Sequence, residues 1–146
     1  MNHPRETIYA AIFAQLQSAG AVFSTYSRKL LKWDQVDASI QPALFMSQIR
    51  EGADQNAAFG LTRWTGRVLL YIYARVDELP TTAGSSTLNP LLDAVESALA
   101  STPPGEKQTL GGLVNELRID GEILIDEGLI DGQAIAAIPL VFTTGI

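Results

Sequence analysis

The sequence predicts an α+β fold: a mainly antiparallel five-stranded sheet, with a mixed sheet as the variant, and two helices packed on one face. Three observations predict it. Thr62–Val76 alternates with period two over a length only a central strand would use. Two segments instead carry apolar residues at a spacing near four, as amphipathic helices do. The remaining apolar runs are short and bounded by Gly, Pro, Asn and Asp. The predicted order is helix, strand, strand, strand, helix, strand, strand, in a single domain over residues 1–146.

Taken in order, Arg5–Gln17 is the first helix. Ile8, Ile12, Leu16 and Ala19 form its stripe, and Gly20 is the expected stop. Val22–Leu31 alternates and reads as a strand. Trp33–Gln41 reads as a connection. Pro42 then opens a second strand, ALFMSQIRE, at a position where its missing N–H is tolerated. Gly52–Gly60 is polar and is expected to join this strand to the central one, giving a hairpin or meander of three strands. In the central strand Trp64, Val68, Leu70, Ile72, Ala74 and Val76 share one parity, with Gly66 as its gap. Arg63, Arg67, Leu69, Tyr71, Tyr73 and Arg75 share the other.

Glu78–Thr87 is expected to be a loop. Asn89 would cap the second helix with Pro90 in its first turn, and Leu91, Leu92, Val95, Ala98 and Leu99 would face inward. Leu110-Gly111-Gly112-Leu113 marks a bend or bulge. It is not a phosphate loop, since no G-K-S/T follows. Val114–Leu124 is the fourth expected strand, interrupted by Gly121. Asp126-Glu127-Gly128 and Asp131-Gly132 are turn formers. Gln133–Thr143, apolar on both parities, is the last strand. Pro139 within it argues for an edge or a bulge. The sheet face away from the helices keeps apolar residues that loops or neighbouring copies must cover.

Composition narrows the chemistry. There is no cysteine, so disulfides and thiolate metal sites are excluded. The one histidine is His3, which removes Ser-His-Asp and multi-histidine metal chemistry. The first apolar stretch is broken by Glu6, Gln15 and Gln17 and does not read as a leader. No apolar run is long enough to span a membrane, so folding in the cytoplasm is the expectation. The net charge of −6 is uneven. Ala21–Asp77 holds seven Arg or Lys against five Asp or Glu, whereas from Glu78 onward there are two against ten. This argues against nucleic-acid backbone binding as the main task, and is equally read as solubility or as an acidic face for a basic partner.

Two charged sets are the candidate contact residues. The basic set is Arg28, Lys29, Arg50, Arg63, Arg67 and Arg75, with Lys32 nearby. The acidic set is Glu116, Asp120, Glu122, Asp126, Glu127 and Asp131. Asp120 and Glu122 share a strand parity and are the one candidate carboxylate pair. They lie along a strand and its turn rather than across a cleft, so a solvated or interface-facing edge is the better reading. Tyr71 and Tyr73 between arginines allow a single-stranded nucleic-acid groove, but no complete nucleic-acid motif is present. No catalytic, cofactor or metal residue is assigned. An enzyme is the weakest class.

Several stretches, in order, resemble one family. They are the opening helix to Leu16, QPALFM at Gln41–Met46, the strand Thr62–Val76 and LNPLLDAVESAL at Leu88–Leu99. QTLGGLV at Gln108–Val114 and GEILIDEGLIDGQAIAAIPLVF at Gly121–Phe142 complete the set. The chain resembles the tail terminator, or tail completion, proteins of long-tailed bacteriophages. The resemblance rests on turns and strands rather than on a chemical motif. It implies a non-enzymatic virion protein, made in the host cytoplasm. A hexameric ring of it would sit on the head-proximal end of the tail tube, ending tube polymerisation. It further implies contacts with the tail tube protein and a neck or head-completion protein. It implies passing proximity to phage DNA, with no cofactor and no membrane. A neck or head-tail adaptor subunit and a small nucleic-acid-binding module are the rival readings. The expectation for Arg63, Arg67 and Arg75 is that one of them faces acidic residues of a neighbouring copy, with Glu116–Asp131 a candidate lining for the hole.

Overall fold

The computed structural model describes residues 1–56, 60–76, 83–101, 103–128 and 132–145. It is an α+β fold in which two helices cover one face of a mixed sheet. Helix α1 (Arg5–Gln17) is followed by strands β1 (Thr25–Ser27), β2 (Ala43–Asn56) and β3 (Leu61–Arg75). Helix α2 (Gly84–Leu99) precedes β4 (Glu116–Ile119), β5 (Leu124–Asp126) and β6 (Gln133–Thr144). The strand order is β1-β2-β3-β6-β4, with β5 also pairing β6. β1 and β2 are parallel and every other pairing is antiparallel.

β3 is the centre, as its alternation requires. It pairs β2 from Ala43↔Tyr73 to Asn56↔Leu61 and β6 from Trp64↔Thr144 to Arg75↔Gln133. Its even positions Val68, Leu70, Ile72 and Ala74 face the main core. There they meet Ile8, Tyr9, Ile12 and Leu16 of α1 and Leu88, Leu91, Val95 and Leu99 of α2. Each fully buried aliphatic side chain contributes about 1.5–3 kcal/mol, so this layer dominates stability. Gly66 is no mere gap: a Cβ there would run into the ring of Phe142, which packs edge-on to Tyr9 with centroids 5.4 Å apart.

The opposite face has a smaller core of Val36, Ala43, Phe45 and Tyr73, flanked by Leu31, Ile40, Tyr71 and Ile135. The link between β1 and β2 makes it. This link carries short 3-10 turns at Trp33–Gln35 and Ala38–Ile40, and its Leu31 carbonyl accepts from Tyr73 Oη at 3.1 Å. Gln41 and Gln133 exchange amide hydrogen bonds of 2.8 and 3.1 Å at its base, which satisfies the buried Gln133. Loops therefore cover one end of this face, as a parallel β1-β2 crossover demands.

Several expectations need correction. The first strand is Thr25–Ser27 rather than Val22–Leu31, because Gly20–Val22 coils into a 3-10 turn and β1 finds a partner for three residues only. β1-β2 is a parallel pair, so the three-strand meander is absent, and of the first three strands only β2 and β3 pair antiparallel. Gly20, with φ 75°, lies three residues beyond the end of α1. Gly52–Asn56 belongs to β2. The expected fourth strand is two, β4 and β5, because Gly121 adopts φ 121° between them. Six strands are thus seen among the described residues. Pro139 lies on no outer edge. It faces the break between β4 and β5, where its carbonyl accepts from Asp120 N at 3.0 Å and no strand needs its missing N–H. α2 starts at Gly84, so Asn89 and Pro90 lie in its second turn rather than at its cap.

Candidate surfaces for subunit and partner contact

Strand register determines what the uncovered end of the second face presents. Ile49 is an extra residue in β2, between the pairs Gln48↔Val68 and Arg50↔Arg67. It reverses the parity of the strand beyond it. Arg50 thereby joins the face of Arg67, while Glu51 turns to the helix side beneath Tyr9 and Arg5. Val141 continues the row from Arg67 and Arg118 follows on β4. Three arginines therefore stand in one row across four strands. The adjoining row is apolar, with Leu69 beside Pro139 and, one row on, Tyr71 beside Ala137 and Leu124.

The arginine row is partly neutralised from within the chain. Arg67 Nη1 meets Asp120 Oδ2 at 3.2 Å, and Arg118 meets Glu116 at 3.2 Å and Asp120 at 3.5 Å. Arg67 and Asp120 are each about a third exposed, so their bond contributes roughly 0–1 kcal/mol. Arg50, Arg67's direct cross-strand neighbour, makes no ion pair or side-chain hydrogen bond among the described residues. Arg67 and Arg118 share Asp120, so Arg50 stands beside a like charge with no anion of its own there.

The other basic candidates divide between the β1 edge and the two ends of the central strand. Arg28 pairs with Glu6 of α1 and donates to Gln48 Oε1 at 3.2 Å, and its hydrogen bond, helped by its charge, holds the Glu6 carboxyl below the usual range. Lys29 is exposed just beyond β1. Arg63 stands opposite Asp54 in the β2-β3 ladder, and Arg75 opposite Gln133 at the far end of β3. Arg67 and Arg75 share a face but lie eight residues apart, roughly 26 Å along the strand, so the basic residues do not form one patch.

The acidic set also splits. Asp120 and Glu122 are not a carboxylate pair, since Gly121 breaks the strand between them. Asp120 instead shares Arg118 with Glu116. Asp126 Oδ1 accepts from Gly128 N at 3.0 Å and forms its turn. Glu127 Oε1 accepts from Ser85 N at 3.0 Å, capping the first turn of α2 from another element, and the Ser85 hydrogen bonds lower its pKa. Glu122 is exposed and makes no ion pair or hydrogen bond among the described residues. Asp131 lies outside the described residues.

Sequence reading missed three features. Arg118, which is not among the candidates, meets two carboxylates, Glu116 and Asp120. Arg5 joins Glu51 at 2.6 Å and lies 4.9 Å from the Trp64 ring centroid, while Tyr9 donates to Glu51 at 3.1 Å. Burial, with the Glu51 charge beside it, pushes the Tyr9 hydroxyl up to about 12. The third is an exposed apolar run, Ile123-Leu124-Ile125, with Leu124 65% and Ile125 48% accessible. Its signal was the ILI triplet between Glu122 and Asp126, at the end of the expected strand Val114–Leu124. Beside it a groove of about 720 Å³ runs along β4, floored by Leu99, Ile119 and Ile123 and rimmed by Glu96, Lys107 and Arg118. Tyr73 is buried and hydrogen-bonded, so its ring is not open to a base. Among the described residues no cluster of three or more His, Asp or Glu is placed to hold a metal, and no helix is long and apolar enough to cross a membrane.

No family model matches the chain, and no curated protein matches it. Among solved structures the fold is similar to a chain in the virion of a native gene transfer agent (GTA) particle. The TM-score is 0.56 at 9% identity, covering 94% of this chain and 93% of the other. At that identity the likeness is one of fold.

Proposed function

We propose that this chain is a structural subunit of a phage-like virion. It forms a ring at the head-proximal end of the tail tube, stops tube growth and offers the surface to which the head joins. The observation that carries this reading is the fold shared with a chain of a GTA virion along nearly the full length of both. The order of turns and strands that resembles tail terminators points the same way, from Gln41 to Phe142. The surface supports it too. An uncovered apolar strip beside an arginine row suits protein contact, and the two ends of the sheet differ in charge, which suits head-to-tail rings.

The role is non-enzymatic and needs no cofactor. Partners are further copies of the chain, six in the assembled tail, together with the tube protein and a neck protein. DNA passes the ring without specific contact, since the carboxylates of Glu116 and Asp120 sit among the arginines that would otherwise hold phosphates. The test is tube polymerisation in vitro. Purified chain added to growing tubes from the same particle is expected to shorten them and leave a cap at one end. Unchanged tube lengths with bare ends would contradict the proposal. Binding to finished tails without any effect on growth would move the chain to the neck.

A further inference from the structure

The sheet has two edges with complementary chemistry. At one, β1 covers β2 only from Ala43 to Phe45, so the outer side of β2 from about Ile49 onward has no strand beside it among the described residues. Ile49 is 51% exposed there, and Arg50 beside it lacks an anion. Lys29 adds a second exposed cation on the β1 side. At the other edge, β5 is bonded to β6 on one side only. It exposes Ile123, Leu124 and Ile125 and is flanked by Glu122, Asp126 and Glu127, none of which has a cationic partner among the described residues.

Exposed edge strands are usually blunted by charge, proline or brevity. β5 is short, and two of its three exposed residues, Leu124 and Ile125, are apolar, with Asp126 closing the strand. The charges lie at its ends, where they would select a partner rather than repel every strand. An edge with open backbone groups, an apolar centre and acidic ends accepts an extended segment with an apolar centre and a basic end. The β2 edge of a second copy is such a segment. The two edges lie at opposite ends of one sheet and cannot meet within one molecule.

We infer that the β5 edge of one copy receives the β2 edge of the next, strand against strand, with Glu122 facing Arg50. The contact is heterologous: each copy uses one edge as donor and the other as acceptor, so it propagates and closes only as a ring. This deepens the assembly role proposed above and rests on it.

The chain has no cysteine, which makes a cross-linking test clean. I49C, I125C and the double variant I49C/I125C are treated with a short bismaleimide, in solution and on tails. The expected result is a ladder of covalent oligomers from the double variant in at least one state, with both single variants monomeric. R50E or E122R in that background is expected to reduce the ladder at least five-fold, and R50E/E122R together to restore it. The exposed positions leave folding intact, which circular dichroism and thermal melting check. Covalent dimers from I125C alone would mean a two-fold contact and overturn the inference. So would the absence of a ladder in both states, or a charge swap without rescue. Tube capping tests the tail role separately: capping without a ladder sinks only this interface, and a ladder without capping sinks only the tail role.

Discussion

Gly66 and Phe142 show how a single residue position fixes the core. The ring of Phe142 occupies the space a side chain at 66 would take, and Tyr9 holds the ring from the α1 side. Gly66→Ala is therefore expected to destabilise by about 1–3 kcal/mol, as overpacking does. Phe142→Ala should cost about 3–5 kcal/mol through the cavity it leaves. Urea unfolding midpoints check both, and a G66A protein as stable as wild type would contradict the packing.

Tyr9 and Glu127 each contribute to the pH response, alongside Glu6, lowered like Glu127, and Tyr26 and Tyr73, raised by burial like Tyr9. Tyr9 has its pKa raised, so its contribution is complete below the ordinary tyrosine value near 10 and is lost as pH climbs toward about 12. Glu127 has its pKa lowered, so its contribution is present above the ordinary value and fades as pH falls through the folded one. Stability should thus decline at both extremes. Y9F should lessen the alkaline arm and E127Q the acidic one, as read from denaturation midpoints across pH.

At the scale of elements, the sequence made legible whatever depended on a repeating pattern. α1 matches its expected Arg5–Gln17 span, and β3 and β6 match theirs to within a residue, because alternation and helical spacing are local consequences of burying one face. What depended on distant partners was hidden. α2 starts five residues before Asn89 because Glu127, forty-two residues away, caps Ser85. Pro139 sits inside the sheet because two short strands leave a gap opposite it. Arg50 and Arg67 became neighbours only through the Ile49 bulge, which no alternation could announce. Gly84 offers a test at this scale. A Cβ there would collide with the Glu127 backbone carbonyl, so Gly84→Ala should loosen the start of α2 despite alanine's better helix propensity. Faster amide exchange at Ser85–Leu88 would report it, and unchanged exchange would contradict the contact.

For the whole molecule, the unequal faces carry the functional argument. One face is closed by two helices. The other is closed at one end by the 28–41 link. Among the described residues no such link covers Leu69 and Pro139 beside the arginine row, or Leu124 one row further on. The candidate residues were legible as charges but not as partners: Arg67 meets Asp120, whereas Arg50 and Glu122 make no ion pair among the described residues. D120N should accordingly change stability by less than about 1 kcal/mol. Binding to single- or double-stranded DNA should stay weaker than micromolar at physiological salt. Tighter, steeply salt-dependent binding would reopen the nucleic-acid reading.

The central claim is that the chain ends the tail tube, and electron microscopy of particles made after disrupting its gene tests this most directly. The account predicts overlong or irregular tubes lying apart from filled heads. Infectious particles of normal appearance would contradict it.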